Sequence, residues 1–193
     1  MSSLNYYKQN TLAIALGSNI PSPAGPPVST LITVKPQIEQ LICEWIKALV
    51  PANKTFLPII SNLHWQWSPL YETQPIGGPS NQPNYINAVL VVRGEKFASI
   101  RPTEDRAIDL LKRFLELEKN FGRARELSKV KWGPRTLDID LLAWGDLHIN
   151  KKILVLPHPR FIERDFVLIP LAASIQREAY GIRQIPPQEG WEE

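Results

Sequence analysis

The sequence predicts an α+β fold: a ferredoxin-like βαββαβ sandwich with helices on one face of an antiparallel sheet, plus extra C-terminal helices. Three observations predict it. Two segments repeat apolar residues at helical spacing, four others are short apolar runs rich in strand formers, and the six alternate as strand, helix, strand, strand, helix, strand.

Leu12-Ala-Ile-Ala-Leu16 is a short buried strand that Gly17-Ser18-Asn19 stops. The prolines of 21–27 punctuate a loop. Ile38 to Leu49 is a helix with Ile38, Leu41, Ile42, Trp45, Ile46 and Leu49 on one face. His64 to Ser68 alternates and leads to Leu70-Tyr71, which gives a strand. Tyr85 to Val92, β-branched and preceded by a Pro/Gly/Asn loop, gives the next. The second helix has Thr103 as N-cap, Glu104 and Asp105 at its positive end, and Gly122 as its stop. Leu137 to Trp144 is a strand, and a looser helical tail begins at Phe166. One domain over 1–193 is expected, with its core at about 12–171 between polar tails.

With 193 residues, 44% hydrophobic and 21% charged, the chain has the composition of an ordinary globular protein. Its single cysteine, Cys43, excludes an internal disulfide and a Cys-based zinc cluster. No apolar run reaches the ~20 residues of a membrane span, and the first ten residues lack an apolar signal core. A cytoplasmic protein without membrane contact is expected. The net charge of +3 is too small to separate nucleic acid from a phosphorylated small molecule.

The strongest motif is Trp132-Gly-Pro-Arg135-Thr-Leu-Asp138-Ile-Asp140-Leu-Leu. Alternation along a strand puts Asp138 and Asp140 on one face. Carboxylates so close repel unless a proton or a cation intervenes. Magnesium, bound jointly by carboxylates and substrate phosphates, is the suitable cation, and two such ions about 3.5–4 Å apart can grip a transferring phosphoryl group. A solvated Asp-x-Asp is the plain alternative. Arg135 adds a cation beside the pair. Arg123 and Arg125 follow the second helix and are suited to phosphate, as are Lys129 and Lys131, although basic runs are commonly just solvated. Glu118 falls on that helix's apolar side, which implies a buried partner. His158, between two prolines, and Arg164 are further phosphate candidates. Thr73 and Asn87 flank a rigid loop and could read a heterocycle's edge, while Tyr85, on the same strand face as Asn87, could stack on a flat ring. A strand with no ligand is the bland reading there.

In order, Ala15-Leu-Gly-Ser-Asn19, Tyr71-Glu-Thr-Gln-Pro-Ile-Gly77 with Gln82-Pro-Asn-Tyr-Ile-Asn87, Gly122-Arg-Ala-Arg125, the Trp132 motif and Pro157-His-Pro-Arg160 with Glu163-Arg-Asp-Phe resemble the 6-hydroxymethyl-7,8-dihydropterin pyrophosphokinase family. The likeness runs from about Leu12 to Leu171. It implies transfer of pyrophosphate from ATP to the hydroxymethyl-dihydropterin in folate biosynthesis, giving AMP, with two Mg2+ on Asp138 and Asp140. It implies ATP contacts from Glu118, Arg123, Arg125, Trp132, Arg135, Leu141, His158 and Arg164, with Arg123 and Arg135 also catalytic. It implies pterin contacts from Thr73, Gln74, Ile76, Tyr85, Asn87, Trp132 and Phe166, and a monomer with no nucleic-acid partner. Ile153, Val155 and Pro159 depart from residues some members carry, and the Gly77-Gly78 loop is one residue longer. A nucleic-acid-binding module would present a basic sheet face rather than paired acids. Another magnesium phosphotransferase would be expected to show a Walker or kinase glycine loop, and neither is present.

Overall fold

The computed structural model describes residues 11–51, 55–124, 132–159 and 182–192. The fold is α+β, built on an antiparallel sheet with few helices. Its elements are β1 (Leu12–Ser18), α1 (Pro27–Leu49), α2 (Leu57–Ile60), β2 (His64–Trp67), β3 (Tyr71–Thr73), β4 (Tyr85–Arg93), α3 (Glu104–Asn120), β5 (Asp138–Trp144), β6 (Ile149–Asn150), β7 (Val155–Leu156) and β8 (Ile182–Gln184). The main sheet runs β5-β1-β4-β3-β8, with β2 also on β4, and every pairing is antiparallel.

One face of the sheet carries Leu12, Ile14 and Leu16 of β1, Ala88, Leu90 and Val92 of β4, and Ile139 and Leu141 of β5. Against it pack Leu31, Val34, Ile38, Ile42, Trp45 and Ile46 of α1 and Ala107, Leu110, Leu111 and Phe114 of α3. Trp45 meets Trp144 edge to face at 5.1 Å. The opposite face has a smaller apolar cluster of Ala13, Ala15, Val89, Val91 and Leu142.

Several expectations change in detail. Helix α1 starts at Pro27, not Ile38, and runs through Pro36. Pro27 stands in the first turn, where its missing N–H costs nothing, and Leu31 and Val34 extend the buried face far enough to offset the bond lost at Pro36. The Pro21–Pro27 turn is tied to the helix by Ser22 Oγ and Thr30 Oγ1, 2.7 Å apart. The strand expected from His64 to Tyr71 is two, β2 and β3, because Ser68-Pro69 interrupts it. Ser68 then repairs the ladder, its Oγ accepting from Val89 N at 2.9 Å. Strand β1 reaches Ser18, so Gly17 lies inside it rather than ending it. The register of β5 on β1 slips at a β-bulge: Ile14 faces Leu141 while Ala13 faces Ala143, which leaves Leu142 as the surplus residue. Strand β8 had no expectation. The helical tail expected from Phe166 lies largely outside the described residues.

Helix α3 is bounded as expected. Thr103 Oγ1 accepts from Arg106 N, and Gly122 adopts φ +81° at the C-terminal end. There Arg123 N donates to Glu118 O at 3.0 Å and Gly122 N to Lys119 O at 2.9 Å, a Schellman pair.

Candidate active site

Side chains at paired positions of neighbouring antiparallel strands share a face. Gly17 pairs with Asp138 on one side and Asn87 on the other, and Asn87 pairs with Tyr71. Ala15 likewise pairs with Asp140 and Val89, and Thr73 with Tyr85. Asp138, Asp140, Asn87, Tyr85 and Thr73 therefore all belong to the sheet face turned away from the helices.

The acidic end is built from two elements. Arg135 Nη1 pairs with Asp138 Oδ2, and Arg123 Nη2 lies 3.7 Å from Asp138 Oδ1. Burial works against the charge of Arg135, but Asp138 beside it prevails and holds its pKa above the ordinary value. Arg123 is delivered by the Schellman turn of α3. Glu118, in that same turn, is 0% exposed, and its Oε1 accepts the N–H of Ile139 at 2.8 Å. The buried partner implied by its position thus includes the main chain of β5 between the two aspartates. The Glu118 carboxylate braces the strand from behind. Leu141 lies next to Asp140 on the same strand. Its side chain is in the helix-side core at 2% exposure, which leaves only its main chain for a ligand.

At the other end, Asn87 Nδ2 donates to Thr73 Oγ1 at 2.8 Å, and both residues are buried. This orientation turns Asn87 Oδ1 toward Gly17. The Tyr85 hydroxyl donates to Gly133 O at 3.3 Å, and the Arg135 guanidinium lies 5.9 Å from the Tyr85 ring centre. Burial raises the Tyr85 pKa; Arg135 opposes that shift and Asp138 adds to it.

Three loops meet over these ends. Trp132, 41% exposed with φ 59°, sets its indole where a Cβ on Gly77 would be 2.8 Å from its ring. Its carbonyl accepts from Gln82 Nε2 at 2.9 Å and would be 2.3 Å from a Cβ on Gly78. Asn19 clasps both sides: its Oδ1 accepts from Arg135 N at 2.7 Å and its Nδ2 donates to Pro83 O at 3.1 Å. Gln74 and Ile76 are exposed on this loop rim, Ile76 at 75%. His158 is partly buried, and its N–H donates to Leu142 O at the bulge, 2.8 Å. Arg125, Arg164 and Phe166 lie outside the described residues.

A family-level sequence profile for 7,8-dihydro-6-hydroxymethylpterin-pyrophosphokinase matches residues 13–176. The chain belongs to this pyrophosphokinase family. Similar proteins each carry the name 2-amino-4-hydroxy-6-hydroxymethyldihydropteridine pyrophosphokinase. The one from Synechocystis is 42% identical over 53% of this chain and 45% of its own length. That from Bacillus subtilis is 38% identical over 57% and 58%, and that from Haemophilus influenzae 32% over 83% and 79%. The matched stretch thus spans about half of the first two relatives and most of the third.

Within this pyrophosphokinase-family chain, sequence reasoning missed Gly17, Asn19 and Gln82. Gly17-Ser18-Asn19 looks like a strand stop, and only the pairing of β1 with both neighbours shows that position 17 lies between Asp138 and Asn87. Asn19 and Gln82 act through main-chain partners 116 and 50 positions away, which no local pattern signals. Among the described residues no group of three or more His, Cys, Asp or Glu could hold a metal. Two carboxylates alone suit a hard ion that keeps substrate phosphate and water in its shell, as magnesium does, and do not suit a closed protein cage.

Proposed function

We propose that this chain transfers the pyrophosphoryl group of ATP to 6-hydroxymethyl-7,8-dihydropterin in folate biosynthesis, releasing AMP. The observation that carries the reading is one sheet face with an acid pair flanked by Arg123 and Arg135 at one end and the Thr73–Asn87–Tyr85 group at the other. Thr73 and Asn87 together offer a hydroxyl donor and an amide acceptor, a match for the alternating donor and acceptor edge of a pterin. Tyr85 supplies a flat ring, and Phe166 is assigned the opposite side of the heterocycle.

Asp138 and Asp140 would hold magnesium, two ions in this reading, whose charge offsets that of the phosphates. Arg123 and Arg135, with Arg125, His158 and Arg164, bind the triphosphate and stabilise charge that develops on it. Trp132 and the main chain near Gln74 and Ile76 exclude water from the pterin side. The hydroxymethyl oxygen attacks the β-phosphorus in line, the new O–P bond forms as the bond from that phosphorus to the α–β bridging oxygen breaks, and AMP leaves with the bridging oxygen. Asp140 takes the hydroxyl proton. Positioning and charge supply the acceleration, with no protein nucleophile. The scaffold is read as ferredoxin-like and single-domain, supported by the antiparallel order β5-β1-β4-β3 with α1 and α3 on one face.

A coupled assay tests the reading. Pterin-dependent AMP release is the expected result; ADP release indicates an ordinary kinase, and no nucleotide turnover a binding module.

A further inference from the structure

Gly17 occupies the middle of the row Asp138–Gly17–Asn87. Strands are spaced about 4.8 Å apart, so the two functional ends of the site are separated by roughly 10 Å with only this residue between them. Its backbone is ordinary paired strand, flanked by Leu16 and Ser18 in the same ladder, so the chain conformation does not itself call for glycine. Space does. A Cβ at position 17 would lie 2.9 Å from Asn87 Oδ1 and 3.7 Å from Tyr85 Cδ1. Any side chain there would enter between the edge-reading amide and the ring, and would press Asn87 away from Thr73.

We propose that Gly17 is a specificity-determining residue: its missing side chain leaves the passage through which the substrate's exocyclic CH2OH arm crosses from the Asn87 end to the acid pair. The inference rests on the pterin reading above and adds a selection rule, namely that the site accepts an unbranched primary alcohol and refuses a substituent on the exocyclic carbon. The nearest obstacle to a methyl group at position 17 is the far end of a side chain, which can turn aside, so the fold survives the substitution while the arm's path closes.

The test is Gly17→Ala, titrated first with a non-hydrolysable ATP analogue and magnesium, then with fluorescent 6-hydroxymethylpterin. The expected result is cooperative melting at a modestly lowered thermal midpoint, because the buried Asn87–Thr73 bond is displaced, with analogue affinity within twofold of wild type and pterin affinity at least tenfold weaker. Pterin affinity within twofold of wild type overturns the proposal. Should both ligands weaken together, or the variant fail to melt cooperatively, the wild-type protein decides. Binding of 6-(1-hydroxyethyl)pterin at least tenfold weaker than 6-hydroxymethylpterin upholds the proposal, and equal binding overturns it. A wild-type protein that binds the analogue but neither pterin refutes the pterin reading itself, a result visible before any variant is made.

Discussion

Asp138 is shared by two guanidiniums, so its removal does more than delete a proposed metal ligand: it leaves Arg123 and Arg135 facing each other with less to neutralise them. Asp138→Asn and Asp140→Asn are each expected to reduce turnover by at least about a thousandfold while far-UV circular dichroism stays that of the wild type. Activity near wild type in either would remove the proposed chemistry. Arg135→Gln deletes one donor proposed to meet developing phosphate charge, and a loss of about 10²–10³ in kcat is expected from steady-state assays. Tyr85 separates stacking from hydrogen bonding. Tyr85→Phe removes only the bond to Gly133 O, a stability cost of about 0.5–1.5 kcal/mol by denaturant titration. Tyr85→Ala is expected to weaken pterin binding more than ATP-analogue binding. The aspartates were legible in the sequence because period-two alternation is a local rule. Gly17 was not, because its meaning comes from the residues across the sheet on either side.

At the scale of elements, α3 and β5 are joined through one side chain. Glu118 holds Arg123 with its main-chain oxygen and Ile139 with its carboxylate, fixing a cation and the strand of acids relative to each other. Glu118→Ala is expected to cost about 1–3 kcal/mol because it strands a buried N–H, and Glu118→Gln, which keeps an acceptor, less. The β3–β8 edge gives a pH signature. Hydrogen bonds from Arg183 and then Asn84 hold the Glu72 carboxyl below its usual 4.5, against a smaller opposing effect of burial. The folded state therefore binds fewer protons than the unfolded one, so this contribution is complete above the unfolded value and fades as pH falls through the folded one. The thermal midpoint of Glu72→Gln is expected to trail that of wild type at pH 7 and to converge with it as pH falls below the folded-state value. Helix α1 shows why elements are harder to read than residues: Pro36 looks like a boundary, yet Leu31 and Val34 continue the buried stripe on its far side. Strand β8 gains its identity only by pairing with β3, which no property of Ile182-Arg183-Gln184 announces.

For the whole molecule, the division of labour between sheet faces sets what metal removal can do. The helix-side core is mainly apolar, with the buried Glu118 carboxylate hydrogen-bonded to the main chain of β5, while Asp138 and Asp140 lie on the other face. Chelation by EDTA is therefore expected to abolish turnover while leaving the thermal midpoint of the ligand-free protein unchanged; a large drop would mean that the metal holds the fold. The overall strand and helix order was legible because each segment has a strong period of its own, while the docking of the Trp132, Gly77 and Asn19 loops was not, since main-chain carbonyls carry much of it. The bulge in β5 has one more consequence. Counting along that strand with Leu142 left out restores perfect in-and-out alternation, with both acids and Trp144 still where they belong. The additional residue is thus not needed for pairing but serves its neighbours, its side chain filling the opposite-face cluster and its carbonyl holding the His158 segment. A variant shortened by that single residue is expected to keep the strand's pairing while losing both the buried Leu142 side chain from the opposite-face cluster and the anchorage of His158.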